Sequence, residues 1–235
     1  MTPAAFALSF FGPRRDLYGT ARSGATLLFR GRQATALGEG PQLAEDGEGW
    51  RAELADRLSL RLEPLSPAVD LDGVTARVCR FEGAVEGTAV DGLATFSVTE
   101  VAPRWEELQA VRSLSVLVDE GNGLLALARR PSDAEGHGDE QVRAALLLEG
   151  ELLEVEEARI STVYDGGGRQ RSAGLELWLP GEEYPRRGSG QVIAGSSFEL
   201  EAVEVHAAVF RWRLDGREGI GAYELMTRAL PPVVA

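Results

Sequence analysis

The feature that most constrains this chain is an alternation of apolar and polar residues with a period of two. Leu58, Leu60 and Leu62 alternate with Arg57, Ser59, Arg61 and Glu63, and Leu175, Leu177 and Leu179 alternate with Gly174, Glu176 and Trp178. Leu114, Val116 and Val118 repeat the pattern against Ser113 and Ser115, with Leu117 interrupting the polar set. Successive side chains of an extended strand point to opposite faces, so such runs bury one face and leave the other wet. Phe6, Leu8 and Phe10 supply one face of a first strand in the same way. Asp-Gly pairs begin at Asp46, Asp72, Asp91, Asp165 and Asp215, and Asn122-Gly123 separates the run Leu114 to Val118 from Leu124 to Ala128. These pairs accept the positive φ of tight hairpin turns. With 28 glycines scattered between short runs, the pattern predicts an all-β chain, an antiparallel barrel architecture with at most one or two short helices.

One helix is predicted, over Pro103 to Arg112. Trp105, Leu108 and Val111 follow Pro103 at helical spacing, with Glu106 and Glu107 in the first turn. It falls between two segments of similar layout, Val74 to Glu100 and Val203 to Met226, each with a long strand, a Gly-rich crossing, an Asp-Gly turn and a return strand. The expected organisation is therefore two packed β-rich halves, 1–102 and 103–235, or one barrel with an elaborated end. The polar stretches 131–141 and 180–191 read as loops, and Gly166-Gly167-Gly168 as a hairpin tip.

Charge narrows the function. All 24 basic side chains are Arg, none is Lys, and 37 acidic residues leave a formal charge of −13. Nucleic acid is a poor partner for such a surface, and a chain without Lys performs neither Schiff-base chemistry nor P-loop phosphate binding. Cys79, the single cysteine, forms no intrachain disulfide and reads as a small buried hydrophobe, which suits a reducing cytoplasm. The longest apolar stretches, 3–11 and 144–148, fall short of the roughly 20 residues of a membrane helix, so no span is expected. Arg14 and Arg15 follow the first stretch instead of preceding it, which favours a strand over a secretion signal.

Several residues are candidates for chemistry. His206 shares a strand face with Ala208, Phe210, Trp212 and Leu214, and an imidazole among rings on an inward face is suited to give or take a proton. Its other reading is a histidine satisfied by a neighbour's hydrogen bond. Glu176 and Trp178 line a ligand cavity if their side of the strand is inward, where desolvation makes Glu176 a general acid; if that side is outward they meet water. Arg211 and Arg213, close to Glu218 and Glu224, suggest ion pairs across a hairpin. His137 stands among Asp139 and Glu140 but reads as part of a solvated acidic loop, so neither metal nor cofactor is expected. No Gly-x-Ser-x-Gly elbow is present, and Cys79 lacks the setting of a thiol nucleophile.

The final hairpin, Phe210-Arg211-Trp212-Arg213-Leu214-Asp215-Gly216-Arg217-Glu218-Gly219-Ile220-Gly221-Ala222-Tyr223-Glu224-Leu225, resembles the closing hairpin of lipocalin-like proteins of the hydroxyneurosporene synthase and AttH type. The stretches from Arg129 to His137 and from Ser161 to Trp178 are also similar to members of that group. The resemblance implies two barrel-like domains in tandem and carries no catalytic residue across. The Gly-x-Trp signature of true lipocalins is absent, since Glu48 stands two places before Trp50.

Three functions follow as expectations. The first is a binder of a small hydrophobic, isoprenoid- or lipid-like molecule, lined by Trp178, Phe210, Trp212 and Tyr223. The second is a hydratase or isomerase of the same fold, with His206, Glu176 or Glu224 as general acid. The third is a structural or interaction protein with a filled core.

Overall fold

A computed structural model describes residues 5–200 and 202–228. The chain forms two antiparallel sheets, each curled into a half-barrel, and no α-helix occurs among the described residues. The first sheet holds β1 (Phe6–Gly12), β2 (Leu17–Arg22), β3 (Ala25–Arg30), β4 (Gln33–Leu37), β5 (Gln42–Asp46), β6 (Gly49–Leu54), β7 (Leu58–Pro64), β8 (Val69–Asp70), β9 (Val74–Val85) and β10 (Thr88–Thr99). The second holds β11 (Leu108–Asp119), β12 (Asn122–Pro131), β13 (Gln141–Leu148), β14 (Glu151–Glu154), β15 (Glu157–Tyr164), β16 (Gln170–Trp178), β17 (Arg186–Leu200), β18 (Val203–Leu214) and β19 (Arg217–Arg228). Strand order in the first is β4-β3-β2-β1-β10-β9-β7-β6-β5, with the short β8 beside β9. The second runs β14-β13-β12-β11-β19-β18-β17-β16-β15. With β8 set aside, the two sheets repeat one topology: four strands wind outward from the first, and the last returns to pair with it.

Alternation explains each strand's two faces. In β1, Phe6, Leu8 and Phe10 enter the concave core of the first sheet, together with Leu58, Leu60 and Leu62 of β7. Phe11 turns the other way and meets Tyr18, Leu27, Val111, Leu125, Leu127 and Val209 in a third core between the two sheets. Strands at this joint are apolar on both faces, which is why β11 shows Leu117 breaking its polar set.

The Asp-Gly pairs at Asp72 and Asp215 take positive φ at both residues, as their turn chemistry predicts. Asp215 and Gly216 take φ of 48° and 82° between β18 and β19, the left-handed pair of a two-residue hairpin turn. Two placements shift. The turn before β12 is Glu120-Gly121, and Asn122-Gly123 already pairs in the strand. Asp91-Gly92 lies inside β10, where Glu86-Gly87 makes the turn instead. The loop expected over 180–191 is shorter, because Arg186 to Gln191 pair in β17.

The helix expected over Pro103 to Arg112 does not form. Only a turn stands there, with Glu107 N–H donating to the Arg104 carbonyl and Leu108 N–H to that of Trp105. From Leu108 onward the chain is committed to β11, since Ala110, Val111 and Arg112 pair with both β12 and β19. Two ladders outweigh a ten-residue helix that would be marginal alone.

Cys79 is buried in the first concave core and unbonded to any other cysteine. Burial pushes its thiol up to about 12, so the thiolate is scarce at neutral pH. In the folded protein a thiol reagent at pH 8 should modify Cys79 orders of magnitude more slowly than in urea. Rapid stoichiometric labelling of the native chain, followed by absorbance, would contradict that burial.

Candidate functional site

The concave face of the second sheet carries a compact group of rings and charges. On β18, His206, Ala208, Phe210 and Trp212 share the inward parity, and the register sets Ala208 opposite Tyr223 of β19. Phe210, Trp212 and Tyr223 are fully buried. Ring centroids lie 5.2 Å apart for Phe210 and Trp212 and 5.5 Å for Phe210 and Tyr223. Gly190 of β17 makes room for this packing, because a Cβ there would stand 2.4 Å from Trp212 Cε3.

Beside the rings lies an ion-pair network that sequence reasoning missed. Arg112 of β11 is 1% exposed. Its Nη1 donates to Tyr223 Oη at 3.0 Å and to Thr162 Oγ1 at 3.1 Å, and its Nη2 to the Ile160 carbonyl at 3.3 Å. The same guanidinium pairs with the buried Glu140 carboxylate. Glu140 also accepts from Arg130, Nε at 3.0 Å and Nη2 at 2.7 Å. Thr162 and Tyr223 hydroxyls share a 2.6 Å hydrogen bond. Burial raises the Tyr223 phenol above its ordinary value, with the Arg112 charge opposing, so Tyr223 holds its proton through neutral pH. Two buried donors of this group, Trp212 Nε1 and Arg112 Nε, find no acceptor among the described residues, nor do Arg22 Nε and Arg129 Nε elsewhere.

Next to Arg112's partners runs a groove of 1290 Å³, lined by Glu140, Val142, Ile160, Thr162 and Leu175 and also by the outward-facing Arg159, Glu176 and Arg187; of the candidates read from sequence, Glu176 borders it and the three rings do not. It extends from the seam where β15 comes alongside β13 without a backbone ladder, across β15, β16 and β17 to Arg213 of β18. Thr162, Ile160 and Glu140, the partners of Arg112, thus border open space.

The residues singled out from sequence fall in four places. Phe210, Trp212 and Tyr223 come together as described. His206 is on the same face farther along, its Nδ1 2.5 Å from Ser197 Oγ and its Nε2 3.6 Å from Glu204. Glu176 and Trp178 lie on the outward face: Glu176 is half-exposed and paired with Arg187 at 3.4 Å, and Arg159 stacks over the Trp178 ring at 4.8 Å. Their parity is set by Leu175 and Leu177, which fill the concave core.

Glu224 is buried on the opposite face of β19 from Tyr223, at the joint between the sheets. It accepts from Thr20 at 2.5 Å and from Ser113 at 3.4 Å, and it pairs with Arg22 of β2. Burial lowers the Arg22 guanidinium to about 10. Glu224 therefore does not take part in a hairpin pair with Arg211 or Arg213, and Arg213 sits opposite Glu218 in register without an ion pair. His206, Glu176 and Glu224 do not converge on one site. The His137 side chain lies outside the described part of the structure, and no cluster suited to a metal occurs among the described residues. No described helix is long and apolar enough to cross a membrane.

Comparison with solved structures places this architecture. An AttH protein from Nitrosomonas europaea superposes with a TM-score of 0.64 over 96% of this chain and 92% of its own, at 12% identity. The fold is lipocalin-like, of the AttH type. CghA with Sch210972 gives a TM-score of 0.60 at 10% identity, covering 97% of this chain and 89% of that one. Kievitone hydratase from Nectria haematococca gives 0.59 at 9% identity with the same coverage. No protein-family model and no curated protein matches the sequence.

Proposed function

We propose that this AttH-type chain binds a small, mainly apolar molecule bearing an acceptor oxygen, on the concave side of its second sheet. The observation that carries the reading is the pair of buried N–H donors, Trp212 Nε1 and Arg112 Nε, left without acceptors amid apolar rings. Buried donors are rarely left unpaired, since each costs about 1–3 kcal/mol, and an oxygen-bearing guest would satisfy them. Glu140 already balances Arg112, so the guest needs no full negative charge. An isoprenoid ketone or alcohol fits this chemistry, in keeping with the likeness of the closing hairpin to hydroxyneurosporene synthase, and the lone reduced Cys79 suits a cytoplasmic setting.

The test is titration calorimetry with β-ionone, an isoprenoid ketone, beside limonene, a hydrocarbon of the same class. The ketone should bind saturably and more tightly than the hydrocarbon. Trp212→Phe should weaken it by roughly 2- to 12-fold, the worth of one hydrogen bond. Trp178→Phe, on the outward face, should change nothing. No saturable heat with the ketone, or equal affinity in Trp212→Phe, would overturn the reading.

A hydratase reading has one specific support: the Tyr223 phenol, held protonated between Arg112 and Thr162, is a group that could give a proton. The likeness to kievitone hydratase agrees with it. Tyr223 would protonate an alkene carbon, water would capture the cation, and the resulting oxonium would return its proton to the phenolate, restoring Tyr223. Tyr223→Phe should then lower turnover by about 10²–10⁴ while ligand still binds, and unchanged turnover would dismiss Tyr223 as the acid.

A further inference from the structure

On the outward face of the second sheet, we infer a separate binding site for a soluble phosphate-bearing molecule, in a groove of 650 Å³ between Arg32, Arg211 and Arg213. The three guanidiniums come from both halves of the chain. Arg32 sits in the turn between β3 and β4, while Arg211 and Arg213 stand two residues apart on one face of β18. Ser172, Ser189 and Gln191 make the floor. Their parity is opposite to the concave core, as the register of Ser172 with Gln191 and of Ser189 with Arg213 shows.

The argument is electrostatic. In a chain of net charge −13, exposed arginines have many carboxylates to choose from, and most of those described take one, as Arg57, Arg80, Arg186 and Arg217 do. Arg32, Arg211 and Arg213 are all exposed and none is ion-paired among the described residues. Even Glu218, opposite Arg213 in register and bordering the same groove, does not close on it. Three uncompensated guanidiniums around hydroxyl and amide groups match the needs of a phosphate, which takes charge-assisted, forked hydrogen bonds from Arg and neutral ones from Ser and Gln. The same net charge argues against a lipid headgroup as the source, because an anionic bilayer would repel the rest of the surface. The ligand is therefore placed in solution.

The groove adjoins the seam groove, with Ser161, Gly174, Ser189 and Arg213 common to both, and Trp212 also borders it, but the phosphate chemistry rests on the three arginines. The experiment titrates the full chain with inorganic pyrophosphate by calorimetry at low salt. Saturable binding is expected, falling roughly tenfold or more in Arg211→Gln/Arg213→Gln, weakening as salt rises, and unchanged in Arg143→Gln, an exposed arginine away from the groove. β-Ionone binding should persist in Arg211→Gln, which borders this groove and not the seam groove, so failure here and failure of the interior site are read separately. No binding of pyrophosphate would overturn the inference. Equal affinity in the double variant would do the same, as would flotation with phosphatidate vesicles in place of pyrophosphate binding.

Discussion

Replacing Glu140 by Ala should cost about 3–5 kcal/mol of folding stability, because it strands the fully buried Arg112 guanidinium without a counter-charge. In a domain of this size each kcal/mol lowers the melting midpoint by roughly 2–4 °C, so thermal unfolding should shift by about 6–20 °C. The mechanism can be separated from simple loss of packing. Arg112→Met combined with Glu140→Met removes both charges, and it should recover a large part of the loss, since a buried pair replaced by apolar groups of similar size is often close to neutral. Arg130, which also binds Glu140, keeps 20% of its side chain exposed to water and can hydrate when the carboxylate is removed. Urea midpoints of the three proteins decide it. If the double variant is as unstable as Glu140→Ala, the network is held by shape and not by charge.

Glu224→Ala should also be destabilising, by about 3 kcal/mol at the low end of that range, and for a different region: it leaves the Arg22 guanidinium, 15% of whose side chain is exposed, uncompensated at the joint between the sheets. Thr20 and Ser113 lose their shared acceptor in the same step. Glu224→Gln keeps the size and one acceptor oxygen but not the charge, and should fall between Ala and the parent. Ligand binding on the concave side should survive at temperatures where the variant is folded, because Glu224 and Tyr223 point to opposite faces. Loss of ketone binding in folded Glu224→Gln, measured by calorimetry at low temperature, would show that the joint and the concave cluster are coupled.

The sequence made the strands visible and the charges invisible. Leu58, Leu60 and Leu62, or Phe6, Leu8 and Phe10, announce themselves because alternation is local, and the hairpin at Asp215-Gly216 follows from two residues' backbone preference. The helix expected from Pro103 failed for the converse reason: the ladders that recruit Ala110 to Arg112 come from β12 and β19, far away in the chain. Parity joined Phe210 with Trp212, but whether Glu176 faces in or out depends on which face of β16 the rest of the sheet covers. Arg112, Glu140 and Thr162 gave no signal at all. They lie on three separate segments, and Arg and Glu are ordinarily surface residues, so nothing short of the fold distinguishes a buried pair from a solvated one.

The absence of a backbone ladder between β13 and β15 has a bearing on how a guest arrives. A tube stitched all round admits cargo only through its rims, so a long molecule must thread end-first. Here the tube is slit along its length, and parting the lips disturbs side-chain contacts but no inter-strand amide bond. On the binding reading proposed above, a guest would slide in broadside, its length limited by the slit and not by the width of a mouth.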